Sequence, residues 1–454
     1  SKTPFRIVPG GHFLLSMEAT ATLNNPRTLR AWCMYDWANS VYSLVIVSTI
    51  FPVYFKTVAV SAPGSDRVTF LGFELPNAVL LTYSLSFAFL IVAFLLPLLS
   101  GIADYAGRKK SFMKLFVFMG SLGCAGLYFF TGVDSLGWGI LCTILATVGY
   151  SGSLVFYDAF LPEIVTEERF DATSARGYSM GYYGSVILLV ICLAIIMNYA
   201  RLGVFSDESH AMRFTFVLTG AWWLGFSTLA FVMLPNTAAK PSENLLTKGY
   251  EELLKVWREL RKSPALKRYL VSFFFFSMGV QTVMYLAALF GTDVLHLPGD
   301  RLILSILLIQ IVGAGGSWLF ARVSQRLGNK STLGIMILLW IVICMAAYVI
   351  ETELEFYLLA VMVGMIMGGI QALGRATYAK LIPRDTVDLA SYFSFFDVTF
   401  NISIVLGTFS YGLIHQLTGS MRNSVLALAL YFVIGLVVLA TVKDKAISKG
   451  GRSG

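Results

Sequence analysis

Twelve apolar runs, each near the roughly 20 residues a helix needs to cross a bilayer, follow one another along the chain. They cover residues 31–57, 76–101, 111–131, 137–162, 177–199, 213–234, 268–291, 302–321, 331–350, 356–381, 389–415 and 422–442. None alternates apolar and polar residues with a period of two. A segment in hydrocarbon must satisfy its own backbone hydrogen bonds, so these runs predict helices. The expected fold class is an all-α membrane protein of twelve transmembrane helices. Polar breaks between the runs are short except for 235–267, which has six runs before it and six after. This divides the chain into an N-terminal arm (1–29), a six-helix lobe (30–234), a linker (235–267), a second six-helix lobe (268–442) and a tail (443–454). The first run follows a polar stretch and lacks a small-residue cleavage pattern, so it reads as a retained span.

Within the linker, Leu246, Tyr250, Leu253, Trp257 and Leu260 recur at helical spacing beside Lys255, Arg258, Arg261 and Lys262. That pattern predicts an amphipathic helix on the cytoplasmic membrane surface, serving as a strut between lobes. The two halves also echo one another. Gly107 and Gly328, Tyr157 and Tyr378, and Pro162 and Pro383 are each 221 positions apart. Combined with the six-plus-six layout, these identities point to duplication, as in transporters whose halves rock about a central site.

Composition agrees: 57% of residues are hydrophobic and 13% charged. With both termini cytoplasmic, 27 of the 34 Lys and Arg residues fall on the cytoplasmic side, six on the opposite side and one, Arg375, inside a span. The net charge of +8 is therefore a topology signal and not a nucleic-acid footprint. The five cysteines fall in or beside spans, where thiols behave as small apolar groups. No GxxxxGK[ST] loop, no Cys/His cluster at ligand spacing and no nucleophile beside a base is present, so we expect no cofactor, no metal site and no enzyme. The expected partners are the lipid bilayer and a small polar solute, with protons as the candidate coupling ion; the expected state is a monomer in a bacterial inner membrane.

The connection SGIADYAGRKKS (100–111) places Asp104 before Gly107, Arg108 and Lys109. It resembles the signature loop of the major facilitator superfamily, with Tyr105 where that loop usually has arginine. The resemblance implies the two-lobe major facilitator fold and a conformational latch at Asp104, Gly107 and Arg108. The equivalent loop of the second half, QRLGNK, has Gln325 in place of the acid. YDWANS (35–40), YDAFLPEI (157–164), RGYSMGYYGS (176–185), GVQTV (279–283), GGIQALGRATYAKLIP (368–383) and HQLTGS (415–420) further resemble the vacuole effluxer-like branch of the superfamily. Asp158 stands where that branch often has asparagine, and Met278 where it often has aspartate. The resemblance implies amino-acid movement toward the cytosol.

An ionisable side chain in hydrocarbon must face a cavity or a partner. Asp36, Asp158, Arg375 and Asp397 lie inside runs. At about 1.5 Å rise per residue, all four lie roughly 7–12 Å in from the cytoplasmic side. Together with Asn39, one turn deeper than Asp36, they are the candidate coupling or gating residues, and an Arg375–Asp397 ion pair is expected. Nearer the midplane, Ser43, Tyr150, Gln281, Thr282, Tyr285, Gln310 and Gln371 are the candidate substrate-binding residues, because amides, hydroxyls and aromatic rings suit a small polar solute. The functional expectation is a secondary active transporter working by alternating access on amino acids or short peptides. A sugar or drug facilitator or exporter, and a non-transporting receptor or lipid-translocating scaffold, stay open as alternatives.

Overall fold

Helical periodicity carried on apolar side chains shapes almost the whole computed structural model, which describes residues 23–61, 65, 67–236, 245–384 and 386–443. The N-terminal six spans are Pro26–Val58, Asn77–Ala106, Lys109–Phe129, Val133–Ile164, Glu167–Met197 and Glu208–Met233. The C-terminal six are Pro264–Asp293, Gly299–Leu327, Asn329–Val349, Glu353–Leu381, Leu389–Thr418 and Met421–Ala440. We number them 1 to 12. Both ends of the set lie on one face of the bundle, here the terminus side.

Local chemistry fixes where helices start and stop. The Asn25 side chain accepts from Arg27 N and Pro26 opens span 1; Ser263 and Pro264 do the same for span 7. Thr352 and Glu355 form a reciprocal capping box at span 10. Span 2 stops at Gly107, whose φ of 64° is costly for any residue with a Cβ, and the chain turns at once into span 3. Among the described residues, the one sheet is a hairpin between spans 1 and 2. Its strands β1 (Arg67–Phe70) and β2 (Phe73–Pro76) pair through Leu71 and Gly72, both with positive φ. This hairpin departs from the all-helical expectation. It lies between the first two apolar runs, sharing only Pro76 with the second.

Glycines set how closely helices approach. A Cβ on Gly364 or Gly368 of span 10 would collide with the Ile309 or Gly313 carbonyl of span 8, so these backbones touch directly. The glycine stripe of span 5 instead faces span 1: Gly181 abuts Ser40 and Gly184 abuts the Trp37 backbone. Between lobes, span 2 packs on span 11 and span 5 on spans 8 and 10.

The linker forms a helix over Leu245–Lys262. Its buried face carries Gly249, Val256 and Leu260, with Gly249 against Gly101 and Ile102 of span 2. Tyr250 and Trp257, expected on the apolar stripe, are exposed; Trp257 still packs 5.6 Å from the Phe395 ring of span 11. The helix is turned so that its small residues, not its aromatic ones, meet span 2. Lys255 also reaches Asp388 at 2.7 Å, tying the linker to span 11.

Candidate functional site

At the centre of the bundle is a cavity of about 210 Å³, lined by spans 1, 2, 4, 5, 7, 8, 10 and 11. Its wall on span 1 is α-helical at Asp36, Asn39 and Ser40 and changes winding beyond Val41. Residues Tyr42–Thr49 wind as a π-helix, a wider turn that presents Tyr42, Ser43, Leu44, Val47 and Ser48 to the cavity. The Ser43 hydroxyl donates to the Ser40 carbonyl at 2.9 Å and Ser48 to the Ser43 carbonyl at 2.8 Å, satisfying acceptors near the switch in winding.

Arg375 of span 10 forms the floor on the terminus side, with its side chain 2% exposed. Its Nη1 donates to Asp158 Oδ1 of span 4 at 2.9 Å and its Nη2 to Asp36 Oδ2 of span 1 at 3.2 Å. Nε donates to Ser174 Oγ at 3.0 Å, and Nη2 also reaches the Ser174 carbonyl at 3.2 Å. Tyr157 adds a 2.8 Å hydrogen bond to Asp36 Oδ2. The rings of Tyr178, Trp32 and Tyr157 surround the guanidinium at 4.4, 4.7 and 5.5 Å. A buried cation is tolerable only when paired and hydrogen-bonded, and the planar guanidinium fork can bind two carboxylates at once. Gly177 leaves the room: a Cβ there would collide with Asp36 Oδ2 and lie 3.1 Å from Arg375 Nη2.

The expected Arg375–Asp397 pair is not formed. Ser174 aims the guanidinium across the interface toward spans 1 and 4, while Asp397 accepts from Asn401 Nδ2, one turn along its own helix, at 2.7 Å. Asp397 nonetheless lines the same cavity, as do Asp36, Asn39, Asp158 and Arg375. The Asn39 side-chain oxygen is buried without a hydrogen-bond partner among the described residues.

Of the midplane candidates, Ser43, Tyr150, Gln281, Gln310 and Gln371 line the cavity. Gln371 Oε1 accepts from Tyr182 OH at 2.8 Å. Thr282 does not belong with them. One residue beyond Gln281 on a helix is turned about 100° away, and the Thr282 hydroxyl donates to the Met278 carbonyl at 2.6 Å beside Gly407 of span 11. The Tyr285 side chain lies outside the described residues.

At the terminus face, both Asp104 oxygens cap the start of span 11: Oδ1 accepts from Ala390 N at 3.1 Å and Oδ2 from Ser391 N at 2.7 Å and Ser391 Oγ at 2.8 Å. A carboxylate there satisfies helix-end donors and complements their partial positive charge. Gly107 provides the turn. Arg108 is exposed, and its carbonyl starts span 3 by accepting from Ser111 N and Phe112 N. Lys109 is buried against Glu163 of span 4.

A second junction mirrors the first with the acid moved across. Asp171 of span 5 accepts from Lys380 Nζ at 2.6 Å, Asn329 Nδ2 at 2.8 Å and Ser324 Oγ at 2.9 Å. Ser174 Oγ to the Ala372 carbonyl and Ser179 Oγ to the Ala314 carbonyl, both at 2.8 Å, continue the contact toward the midplane. All of these inter-lobe bonds lie between the terminus face and the midplane.

The vacuole effluxer Atg22-like family model matches residues 24–450. The chain belongs to this family. An uncharacterized MFS-type transporter of Bacillus subtilis, YxiO, is 32% identical over 421 residues, covering 91% of this chain and 94% of that protein. Autophagy-related protein 22-1 of Phaeosphaeria nodorum is 24% identical, covering 92% and 90%. The human organic anion transporter MFSD10 superposes with a TM-score of 0.72 at 11% identity, over 91% of this chain and 99% of that one. FucP, a major facilitator transporter in an outward conformation, gives 0.68 at 12%, over 92% and 99%. At such identities the structures establish the shared fold: twelve transmembrane helices in two six-helix lobes. The chain is an MFS-type membrane transporter and not an enzyme.

For this Atg22-like protein, the sequence located the charged residues but not what holds them. Ser174, Trp32, Tyr157, Tyr178 and Tyr182 all contact the charged or amide groups of the cavity, and none was a candidate. The available signal was the Gly177, Gly181 and Gly184 stripe, which marks where span 1 approaches so closely that its neighbours share one site. Asp171 gave no signal, because the second junction's acid sits on span 5 and not in the loop where the first half carries it.

Proposed function

We propose that this transporter is a secondary active carrier working by alternating access, moving amino acids or short peptides, with protons as the coupling ion. The carrying observation is the Arg375 cluster: one guanidinium of the C-terminal lobe held by Asp36 and Asp158 of the N-terminal lobe at the floor of the central cavity. Such a cluster closes one side of the cavity, and it can exist only while the lobes meet there. Excess Lys and Arg on the terminus side support a cytoplasmic assignment for that face. On this reading the structure is closed to the cytoplasm. The Bacillus relative supports a bacterial plasma membrane.

The proposed cycle begins with solute entering from the opposite side and reaching the Gln281, Gln310 and Gln371 level. Proton arrival at Asp36 or Asp158 weakens their hold on Arg375, the floor opens, and the solute leaves toward the cytoplasm. Gln281 and Gln371, from different spans of one lobe, provide neutral donors and acceptors, while Tyr182 reaches Gln371 from the other lobe. The solute's own contacts can therefore bias lobe closure.

Uptake of a labelled amino-acid mixture into proteoliposomes under an inward-acid proton gradient tests this. We expect driven uptake in wild type, and in Asp36→Asn loss of driven uptake with exchange retained. Unchanged driven uptake in that variant removes Asp36 from coupling, and uptake of sugars in place of amino acids overturns the substrate assignment.

A further inference from the structure

We propose that Asp397 is the residue that recognises a substrate ammonium group, so that the solutes carried are ones bearing a free amine. This rests on the reading of the cavity as a transport site and narrows its substrate class. Charge balance is the first support. Among the described residues lining the cavity, three carboxylates (Asp36, Asp158 and Asp397) face one cation, Arg375. Asp36 and Asp158 both hold that guanidinium. Asp397, 9% exposed, has an amide hydrogen bond from Asn401 but no cationic partner among the described residues. A carboxylate removed from water in this way is stabilised by any cation that reaches it.

Neighbouring side chains point to the same ligand. Phe273, Phe276, Phe393, Phe396 and Phe400 line the cavity around the span 7 and span 11 wall that carries Asp397. Aromatic faces attract cations and do nothing comparable for anions. Asn401 orients the carboxylate and leaves its other oxygen for a donor. Gln281, also on this wall, lines the cavity and brings an amide within reach of a polar ligand there. Arg375 is a poorer site for a ligand carboxylate, because four of its five N–H donors are already used and two carboxylates already hold its charge. The cavity is therefore built to select the amine, with the ligand's acidic or neutral end met by amides and hydroxyls.

Three probes of one skeleton separate the charges: L-valine, isobutylamine, which lacks the carboxylate, and N-acetyl-L-valine, which lacks the ammonium. Binding to the purified full chain in lipid nanodiscs is followed by thermal shift and titration calorimetry. We expect valine and isobutylamine to bind and N-acetylvaline not to bind. In Asp397→Asn the dissociation constants of both binders rise about 10- to 100-fold, as expected for removal of a charge-assisted hydrogen bond. Asp397→Glu, which restores the charge, recovers at least part of the response and guards against a folding artefact. The proposal is overturned if Asp397→Asn binds isobutylamine as wild type does, or if N-acetylvaline binds wild type as well as valine. It is equally overturned if neither amine binds. Proteoliposome uptake of valine that survives Asp397→Asn unchanged would leave the transporter reading standing while removing this assignment.

Discussion

Replacing Arg375 by Gln removes the cation that joins the lobes and leaves Asp36 and Asp158 without their partner. Four hydrogen bonds disappear, two to carboxylates at 2.9 and 3.2 Å and two to Ser174 at 3.0 and 3.2 Å, along with three aromatic faces within 5.5 Å. Breaking a buried ion pair by removing one partner costs about 3–5 kcal/mol. Most of that cost falls on the conformation in which the cluster is assembled, since separated lobes let the carboxylates meet water. At about 1.4 kcal/mol per factor of ten, the closed-to-open ratio should fall by roughly two to three orders of magnitude. Spin labels on cysteines at Glu168 and Val387, which line one cleft on the terminus face, report the opening as a distance between lobes. The five native cysteines are buried and should label poorly. We expect wild type to favour the short distance and Arg375→Gln the long one. A triple variant, Arg375→Gln with Asp36→Asn and Asp158→Asn, removes the unpaired charges together and should recover much of the lost stability without recovering driven transport. An Arg375→Gln distance distribution that matches wild type would show that the cluster does not hold the lobes, and the gating argument would fail.

Other outcomes follow from the same geometry. Gly177→Ala puts a methyl group against Asp36 Oδ2, so it should cost about 1–3 kcal/mol by overpacking and depress transport, whereas Gly225→Ala, with open space at its Cβ, should leave the thermal midpoint nearly unchanged. Asp171→Ala strips Lys380, Asn329 and Ser324 of their shared acceptor; we expect the label distance at the terminus face to lengthen as it does for Asp104→Ala. Lys255 is held above its ordinary pKa of 10.5 by hydrogen bonds to Asp388 and then Glu252. A raised folded-state pKa contributes stability that is present below the unfolded value and lost as pH rises beyond it. The thermal midpoint of wild type should therefore drop more steeply above about pH 10.5 than that of Lys255→Gln; parallel curves would contradict the tether.

The fold was legible because hydrocarbon imposes a single local solution: long apolar runs become helices, and the runs predicted at 76–101 and 302–321 differ from the helices mainly in polar ends, where the structure continues to Ala106 and Leu327. Depth was legible too, since helix rise is constant, and it placed Asp36, Asp158 and Arg375 at one level. Their partners were not fully legible. Which face of span 10 meets the other lobe is decided by the Gly313 and Gly368 contact and by Ser174, both tertiary features, so the choice between Asp397 and the N-lobe carboxylates could not be made from position alone. The π-helical winding at Tyr42–Thr49 has no counterpart in the pattern, because the same apolar residues would serve an α-helix. Thr282 was misplaced for a related reason: a run that is apolar all round does not say which way each residue points.

Counterflow tests the central claim, that a polar solute crosses through the cavity above Arg375. Proteoliposomes loaded with unlabelled L-valine and diluted into labelled L-valine should show transient, saturable accumulation that cavity-blocking Gln281→Trp abolishes. Accumulation equal to that of protein-free liposomes across a panel of amino acids, or full activity in Gln281→Trp, would contradict the account.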